Sequence, residues 1–327
     1  MYFVGCISAA PCTRNSDALD RDVIDRMDVR NTRALRCAYA PYIVVLLLLL
    51  SPCVFAETPA VVRLTTDGHL KQRPVWSPDG KSLLFTRHQG ATIFLYVLTP
   101  EDKTERRLTG GKDPEFDAVY SPDGKRIAYS YDKSSPNQGD IDVNTCLADG
   151  TEIKVLAGTE GKLSHEEWPS WSPDGQWIAY SSTKDDNQEI YIVKSDASEK
   201  KRLTSDPALD AHPAWSPDGK KIAFATSRWG DLELAVMNAD GSELVRLTKS
   251  AGMDDYPAWS ADGKRLAFTS NRDGNLEIYT IDPDGQNPRN ETRNPAIDNF
   301  ASWTKDGRLT FVSNREDGFD IYVRAAP

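Results

Sequence analysis

Residues 215–227 read WSPDGKKIAFATS, and the organisation around them decides the fold. Residues 212–216 form a short apolar stretch that predicts a strand. Pro217, Asp218 and Gly219 predict its turn, because proline presets φ at the first central position and glycine accepts the positive φ that follows. Residues 221–227 alternate as a second strand, residues 228–231 turn again, and residues 232–237 predict a third. A further turn at 238–241 leads into a fourth strand over 243–248. No segment after residue 56 carries helical periodicity.

The same block recurs along the chain. An aromatic residue followed by Ser-Pro-Asp-Gly begins at Trp76, Tyr120, Trp171 and Trp215, and altered copies begin at Trp259 (WSADG) and Trp303 (WTKDG). The intervals are 44, 51, 44, 44 and 44 residues, a constancy that marks a repeat architecture. Four antiparallel strands repeated six times predict an all-β, six-bladed β-propeller. Arg-Leu-Thr recurs at 107–109, 202–204 and 246–248, and an orphan copy stands at 63–65. The sixth repeat stops at 321–323 without a fourth strand, so the orphan copy is expected to supply it and close the ring.

These residues resemble the propeller repeats of the TolB family (PD40, WD40-like). The shared run is W-S-P-D-G-K-x-I-A-F, followed by S-x-R, E-I-Y and D-G, and the resemblance extends from Val61 to the C-terminus. The same repeat also occurs in stand-alone periplasmic propellers and in propellers attached to prolyl-oligopeptidase-like peptidases. The resemblance implies a periplasmic module of the Tol–Pal type that binds another envelope protein, such as a Pal-like lipoprotein. TolB carries an α/β domain before its propeller, with an N-terminal segment that contacts TolA. Here only residues 57–60 separate the expected cleavage site from the first strand, so that surface is expected to be missing.

Composition narrows the classes further. The 327 residues carry a formal charge of −10 with a pI near 5.0, which argues against nucleic acid and against an anionic membrane face. Residues 43–50 are an unbroken apolar run, too short to span a bilayer, preceded by Arg30, Arg33 and Arg36. With Val54 and Ala56 at the −3 and −1 positions, this predicts a signal peptide over 27–56, cleaved after Ala56, and a periplasmic monomer without a membrane span. Residues 1–26 have no periodicity and are expected to be a disordered or untranslated leader starting before Met27. Cys53 offers lipid anchoring as an alternative, although Pro52 before it fits poorly. After cleavage Cys146 is the remaining cysteine, which excludes an intramolecular disulfide and predicts a small buried side chain.

Two sets of positions stand out when counted back from each repeat's aromatic. Five residues before it lie Lys71, Glu115, Glu166, Asp210, Asp254 and Asp298, and the loop after the second strand offers Gln89, Lys133, Lys184, Arg228, Arg272 and Arg315. One reading is a charged rim at the channel entrance. The other is an acid–base pair within each blade. Three residues before the aromatic lie Arg73, Asp117, Trp168, His212, Tyr256 and Phe300, different in every blade and rich in rings. They are expected to anchor a protein partner at the propeller mouth, joined by Trp229 at a loop tip, or else to pack against neighbouring blades. The longer spacing in repeat two comes from residues 131–144 and 158–166, read here as neutral drift.

Catalytic signatures are weak. No Gly-x-Ser-x-Gly elbow exists, and His69, His88, His165 and His212 lie in separate repeats without ligand spacing. The expectation is therefore a protein-binding module that is not an enzyme and carries no cofactor, with calcium in the channel left open. The alternatives are a carbohydrate lyase or hydrolase with a channel-bound metal, and a ligand-sensing propeller that works with another chain.

Overall fold

The computed structural model describes residues 60–133 and 139–324. The expectations for the leader at 1–26, for the signal peptide at 27–56 and for Cys53 lie outside the described residues.

Six four-stranded antiparallel sheets make up the described chain, and no helix occurs among these residues. Blade 4 represents the repeat, with strands at Asp210–Trp215, Lys221–Trp229, Asp231–Asn238 and Val245–Arg246. Its second and third strands run two residues past and one residue before the sequence expectation, and the outer strand is shorter. Inner strands in the other blades are Lys71–Trp76, Glu115–Tyr120, Glu166–Trp171, Asp254–Trp259 and Asp298–Trp303. Blade 6 takes its outer strand, Val61–Arg63, from the start of the propeller, paired with Gly318–Arg324 through Val62 opposite Val323. Closure by the orphan Arg-Leu-Thr is therefore as the sequence implies.

The second and third strands are buried almost throughout because each sheet stacks on a neighbour through both faces, as where Ala223, Leu234 and Val236 of blade 4 pack with Leu266 and Phe268 of blade 5. Ala128, Val143, Trp171, Ile178 and Tyr180 join in one such interblade core. The Ser-Pro-Asp-Gly turn folds as a closed unit. Ser216 Oγ donates to Asp218 Oδ1 at 2.6 Å, and the same oxygen accepts from Lys220 N at 3.1 Å. Gly219 takes φ +71°, and a Cβ there would come within 3.1 Å of Pro173 in the preceding blade's turn. Proline and glycine of this motif thus fit one another across blades, which explains why the motif repeats so strictly.

Arg-Leu-Thr also acquires a role. Arg246 Nη2 and Thr248 Oγ1 both donate to Glu233, at 2.9 and 2.6 Å, and Arg202 and Thr204 hold Glu189 the same way. At the closure Arg63 and Thr65 hold Asp320 at 2.5 and 2.7 Å. Each bracket ties the outer strand to a buried acid at the start of the third strand.

Candidate functional site

Every inner strand is broken by a β-bulge, with the register shifting between Gln72/Val75, Phe116/Val119, Glu167/Ser170, Ala211/Ala214, Asp255/Ala258 and Asn299/Ser302. At each bulge one residue adopts left-handed backbone: Arg73 (φ 45°), Asp117 (54°), Trp168 (58°), His212 (54°), Tyr256 (56°) and Phe300 (55°). Bulky residues pay roughly 1–2 kcal/mol for this conformation. It recurs in all six blades because the bulge turns these side chains toward the axis, where they meet.

They meet as a plug. The Trp168 ring lies 4.7 Å from His212, 5.0 Å from Tyr256 and 6.2 Å from Phe300. His212 and Tyr256 are 4.5 Å apart, and Tyr256 and Phe300 4.7 Å. The Arg73 guanidinium sits 4.3 Å over Trp168 and donates to the carbonyls of Asp117 and Pro169, at 2.6 and 2.5 Å. His212 Nδ1 and Asp255 Oδ1 share a 2.6 Å hydrogen bond. Burial pushes the Asp117 carboxyl up to about 7 against the pull of Arg73, and lowers Arg73 to about 10. Burial opposes protonation of His212, but Asp255 outweighs it, and the imidazole rises above its ordinary value.

Of the two readings of these positions, partner anchors or packing between blades, the contacts across the axis are those of packing, while Arg73 and Trp168 also face a cavity. Asp117, Trp168 and Phe300 are 7%, 8% and 9% exposed and pack on one another across the axis. Six different residues are needed because six identical large rings could not share one axis.

The expectation of a charged rim is corrected. Lys71, Glu115, Glu166, Asp210, Asp254 and Asp298 are at most 1% exposed. Arg228, Arg272 and Arg315 pair with Asp210, Asp254 and Asp298 at 2.5, 2.7 and 2.9 Å. Elsewhere the pairing differs. Lys71 pairs with Asp320 at 2.9 Å, Glu115 accepts from Thr109, Lys133 turns to Asp140 and Asp142, and Lys184 lies over the Tyr191 ring. Gln89 accepts from Tyr96. The exposed position is one residue earlier, where Leu70, Leu209 and Ile297 are each 37% exposed at the entrance of their blades. The period-two alternation of a strand marks this position, one step out of phase with the buried acids. Trp229 lies at the same end, 37% exposed with Arg246 over its ring at 4.8 Å.

The other mouth is a funnel. Trp76, Trp215, Trp259 and Trp303 line it with Pro74, Pro213 and Pro257, and Arg73 and Trp168 of the plug form its floor; the cavity is about 360 Å³. Trp259 and Trp303 Nε1 donate to the preceding blades' Ala214 and Ala258 carbonyls at 3.1 and 3.0 Å, which fixes the indole faces. Ala261 and Lys305 stand exposed at its edge. A larger groove of about 790 Å³ between the turns of blades 2 and 3 lies off the axis. It lacks this convergence of rings.

No three histidines converge among the described residues; the single group of metal-ligating side chains is Asp140, Asp142 and Glu166. Cys146 is fully buried, and burial pushes its thiol up to about 12.

A family model for the TolB beta propeller domain matches residues 147–255 and 248–326. The Tol-Pal system protein TolB of Anaeromyxobacter dehalogenans is 31% identical over 94 residues, 28% of this chain and 20% of that protein. An uncharacterized peptidase, YuxL of Bacillus subtilis, is 27% identical over 112 residues, 34% of this chain and 16% of that protein. The chain spans about two fifths or less of the length of such curated relatives. Among solved structures, a protein of Agrobacterium tumefaciens assigned as TolB superposes with TM-score 0.64 at 26% identity, over 82% of this chain and 97% of that one. An oligogalacturonate lyase in complex with manganese superposes with TM-score 0.57 at 17% identity, over 83% and 94%. That last likeness extends to the fold alone. Because the fold is common to lyases and peptidases, the expectation that this chain is not an enzyme is withdrawn.

Proposed function

The chain belongs to the TolB beta propeller domain family, and from that premise we infer that it is a protein-binding propeller of the cell envelope whose partner is a Pal-like lipoprotein. The observation that carries this reading is the funnel. Four tryptophan faces, three of them fixed by an indole hydrogen bond (Trp76, Trp259 and Trp303), and three prolines surround an open cavity closed at its base by Arg73 and Trp168. Rigid aromatic faces bury large area at little cost in conformational entropy, the usual chemistry of a protein hot spot. Asp79, Asp218 and Asp262 lie in the turns on this same side, each held below the ordinary carboxylate range first by its Ser hydroxyl and also by the lysine two residues on, and Lys305 stands at the edge, so the funnel is rimmed by charges of both signs that orient a partner. The signal peptide expected over 27–56 and the likeness to a Tol-Pal system protein support a periplasmic location. No helix of the described residues is long and apolar enough to cross a membrane.

The test uses edge residues, because the tryptophans also lock the blades together. Ala261→Arg with Lys305→Glu should abolish capture of the Pal-like lipoprotein from the envelope fraction, while Trp229→Ala at the opposite mouth should leave it intact. Loss with Trp229→Ala and retention with the double variant would move the docking site to the other mouth. Equal capture by all three would remove the funnel's role.

A further inference from the structure

The junction of blades 2 and 3 is where the repeat breaks, and it is also where buried charge goes uncompensated. In the regular blades each acid at the start of the third strand has its own donors. Glu189 and Glu233 have Arg202 and Arg246 with a threonine, and Asp320 has Arg63 and Thr65. Glu277, opposite Ser270 in the same register, accepts from Thr292 and from the Asn294 backbone. The register of blade 2 puts Asp142 at this position, opposite Tyr131. Its outer strand, however, reads Val155-Leu156-Ala157 where blades 1, 3, 4 and 6 read Arg-Leu-Thr and blade 5 reads Asn290-Glu291-Thr292. Both bracket partners are gone and the acid remains.

The same loss affects Glu166. Its counterparts Asp210, Asp254 and Asp298 each pair with an arginine from the loop after the second strand, whereas Lys184 of blade 3 turns away over Tyr191. Glu166 accepts instead from the neutral hydroxyls of Thr159, Ser164 and Ser182, at 2.8–3.1 Å. Blade 2 then adds a third carboxylate. Asp140 and Asp142 share Lys133, at 2.8 and 2.6 Å, and ligand atoms of Asp140, Asp142 and Glu166 all lie within 4.8 Å of one another. All three residues are at most 2% exposed. Three carboxylates face the Lys133 ammonium, with the Lys200 ammonium, 3.4 Å from the Gly158 carbonyl, acting on Asp142 from farther out.

Asp142 supplies the observation that points to a ligand. It is 1% exposed, and its Oδ1 has no hydrogen-bond partner among the described residues. A Cβ at Gly158 would come within 2.3 Å of that oxygen, so the glycine, which follows the altered outer strand, leaves the room the carboxylate occupies. An oxygen-only donor set suits a hard cation, and ion–oxygen distances of about 2.3–2.6 Å put ligands of one calcium within about 5 Å of each other. We propose that Asp140, Asp142 and Glu166 form a calcium-type divalent-cation site between blades 2 and 3, with Lys133 as the counter-charge that an ion displaces. The Ser164 and Ser182 hydroxyls offer further oxygens from the same network. The longer spacing in repeat two, read from sequence as drift, then serves to bring Ser164 and Glu166 onto the third strand of blade 2, where Ile141 N donates to Ser164 O at 2.9 Å.

The experiment titrates the EDTA-stripped full chain with calcium chloride, by calorimetry and by thermal unfolding, with magnesium chloride in parallel. Wild type should bind one calcium with a Kd below about 1 mM, in the range of extracellular modules, and gain a saturable rise in Tm. Asp142→Asn should weaken binding at least tenfold. It removes one of the two carboxylates that share Lys133 and leaves Asp140 to pair with it, so without calcium it should melt no lower than wild type, and its loss of binding then reports on the site. Lys133→Ala should bind calcium more tightly, because a competing ammonium is gone. Absence of any calcium heat or Tm shift in wild type, an isotherm unchanged by Asp142→Asn, or abolished binding in Lys133→Ala would each overturn the proposal.

Discussion

At the scale of single residues, the axial plug couples strain, packing and protonation. Asp117 titrates near 7 in the folded chain and near 4 when exposed. A folded pKa above the unfolded one contributes stability that is complete below about pH 4 and is lost as pH rises through about 7. His212 is also raised, so its contribution is complete below about 6.5 and falls as pH climbs through its folded value. Both groups make the plug most stable in acid. Asp117→Asn should therefore flatten the fall in Tm between about pH 4 and 7, relative to wild type; an unchanged slope would remove Asp117 as its source. Asparagine also tolerates the left-handed backbone of this position, so the fold should survive. The Cys146 thiol, fully buried and with its pKa near 12, should resist alkylation at pH 8 in the native state and react only on unfolding. A mass shift before unfolding would contradict that burial.

Strands and turns explain which repeats are rigid and which are free to change. The bracket that joins an outer strand to the acid of the third strand is built from a charged and a neutral donor, and both are largely withdrawn from water. Thr248→Ala leaves one buried lone pair of Glu233 without its 2.6 Å donor, while Arg246 and the Ser250 backbone remain. The expected cost is about 1–3 kcal/mol, read as a lower urea midpoint with unchanged slope. No shift would mean that Arg246 and the Ser250 amide suffice for Glu233 and that Leu234 N, which donates to Thr248 Oγ1 at 2.9 Å, finds another acceptor. Bulges in the inner strands follow the same logic. Pro74, Pro169, Pro213 and Pro257 each come directly after a left-handed residue, and proline is tolerated there because the inner strand is an edge of its sheet and the bulge requires no ladder donor.

Closure governs the whole molecule. Leu64 N donates to Ile321 O at 2.8 Å and Ile321 N donates to Thr65 Oγ1 at 3.0 Å, so two amides report directly on the seam. The acid at the seam is depressed: burial works against the Asp320 carboxylate, but Arg63, Thr65 and Lys71 outweigh it. A lowered folded pKa gives stability that is present above about pH 4 and lost as pH falls through the folded value. Arg63→Ala with Thr65→Ala should open the ring locally. Hydrogen exchange at Leu64 and Ile321 should then accelerate more than at the equivalent amides of blade 4, and acid, which weakens the same bracket in wild type, should narrow the difference between wild type and variant. Equal protection at both places would show that strand pairing alone holds the seam.

The sequence by itself determined the fold, because a 44-residue period with fixed turn chemistry specifies local strands, and six copies can bury both sheet faces by closing on themselves. The closing strand was legible for the same reason: Arg63-Leu64-Thr65 was a repeat element without a repeat. What sequence could not order were the side chains that leave the repeat's own sheet. Arg73, Asp117, Trp168, His212, Tyr256 and Phe300 are separated by 44 or more residues, and a one-residue bulge turns them from mouth to axis. The buried acids and exposed Leu70, Leu209 and Ile297 differ by one step in register, which only the paired strands fix. The carboxylates at 140, 142 and 166 come together because blade 2 lies against blade 3, a contact written in no local pattern. Local propensity and periodicity are properties of neighbouring residues; the plug, the funnel and the charge cluster depend on distances across blades, and tertiary packing alone decided those.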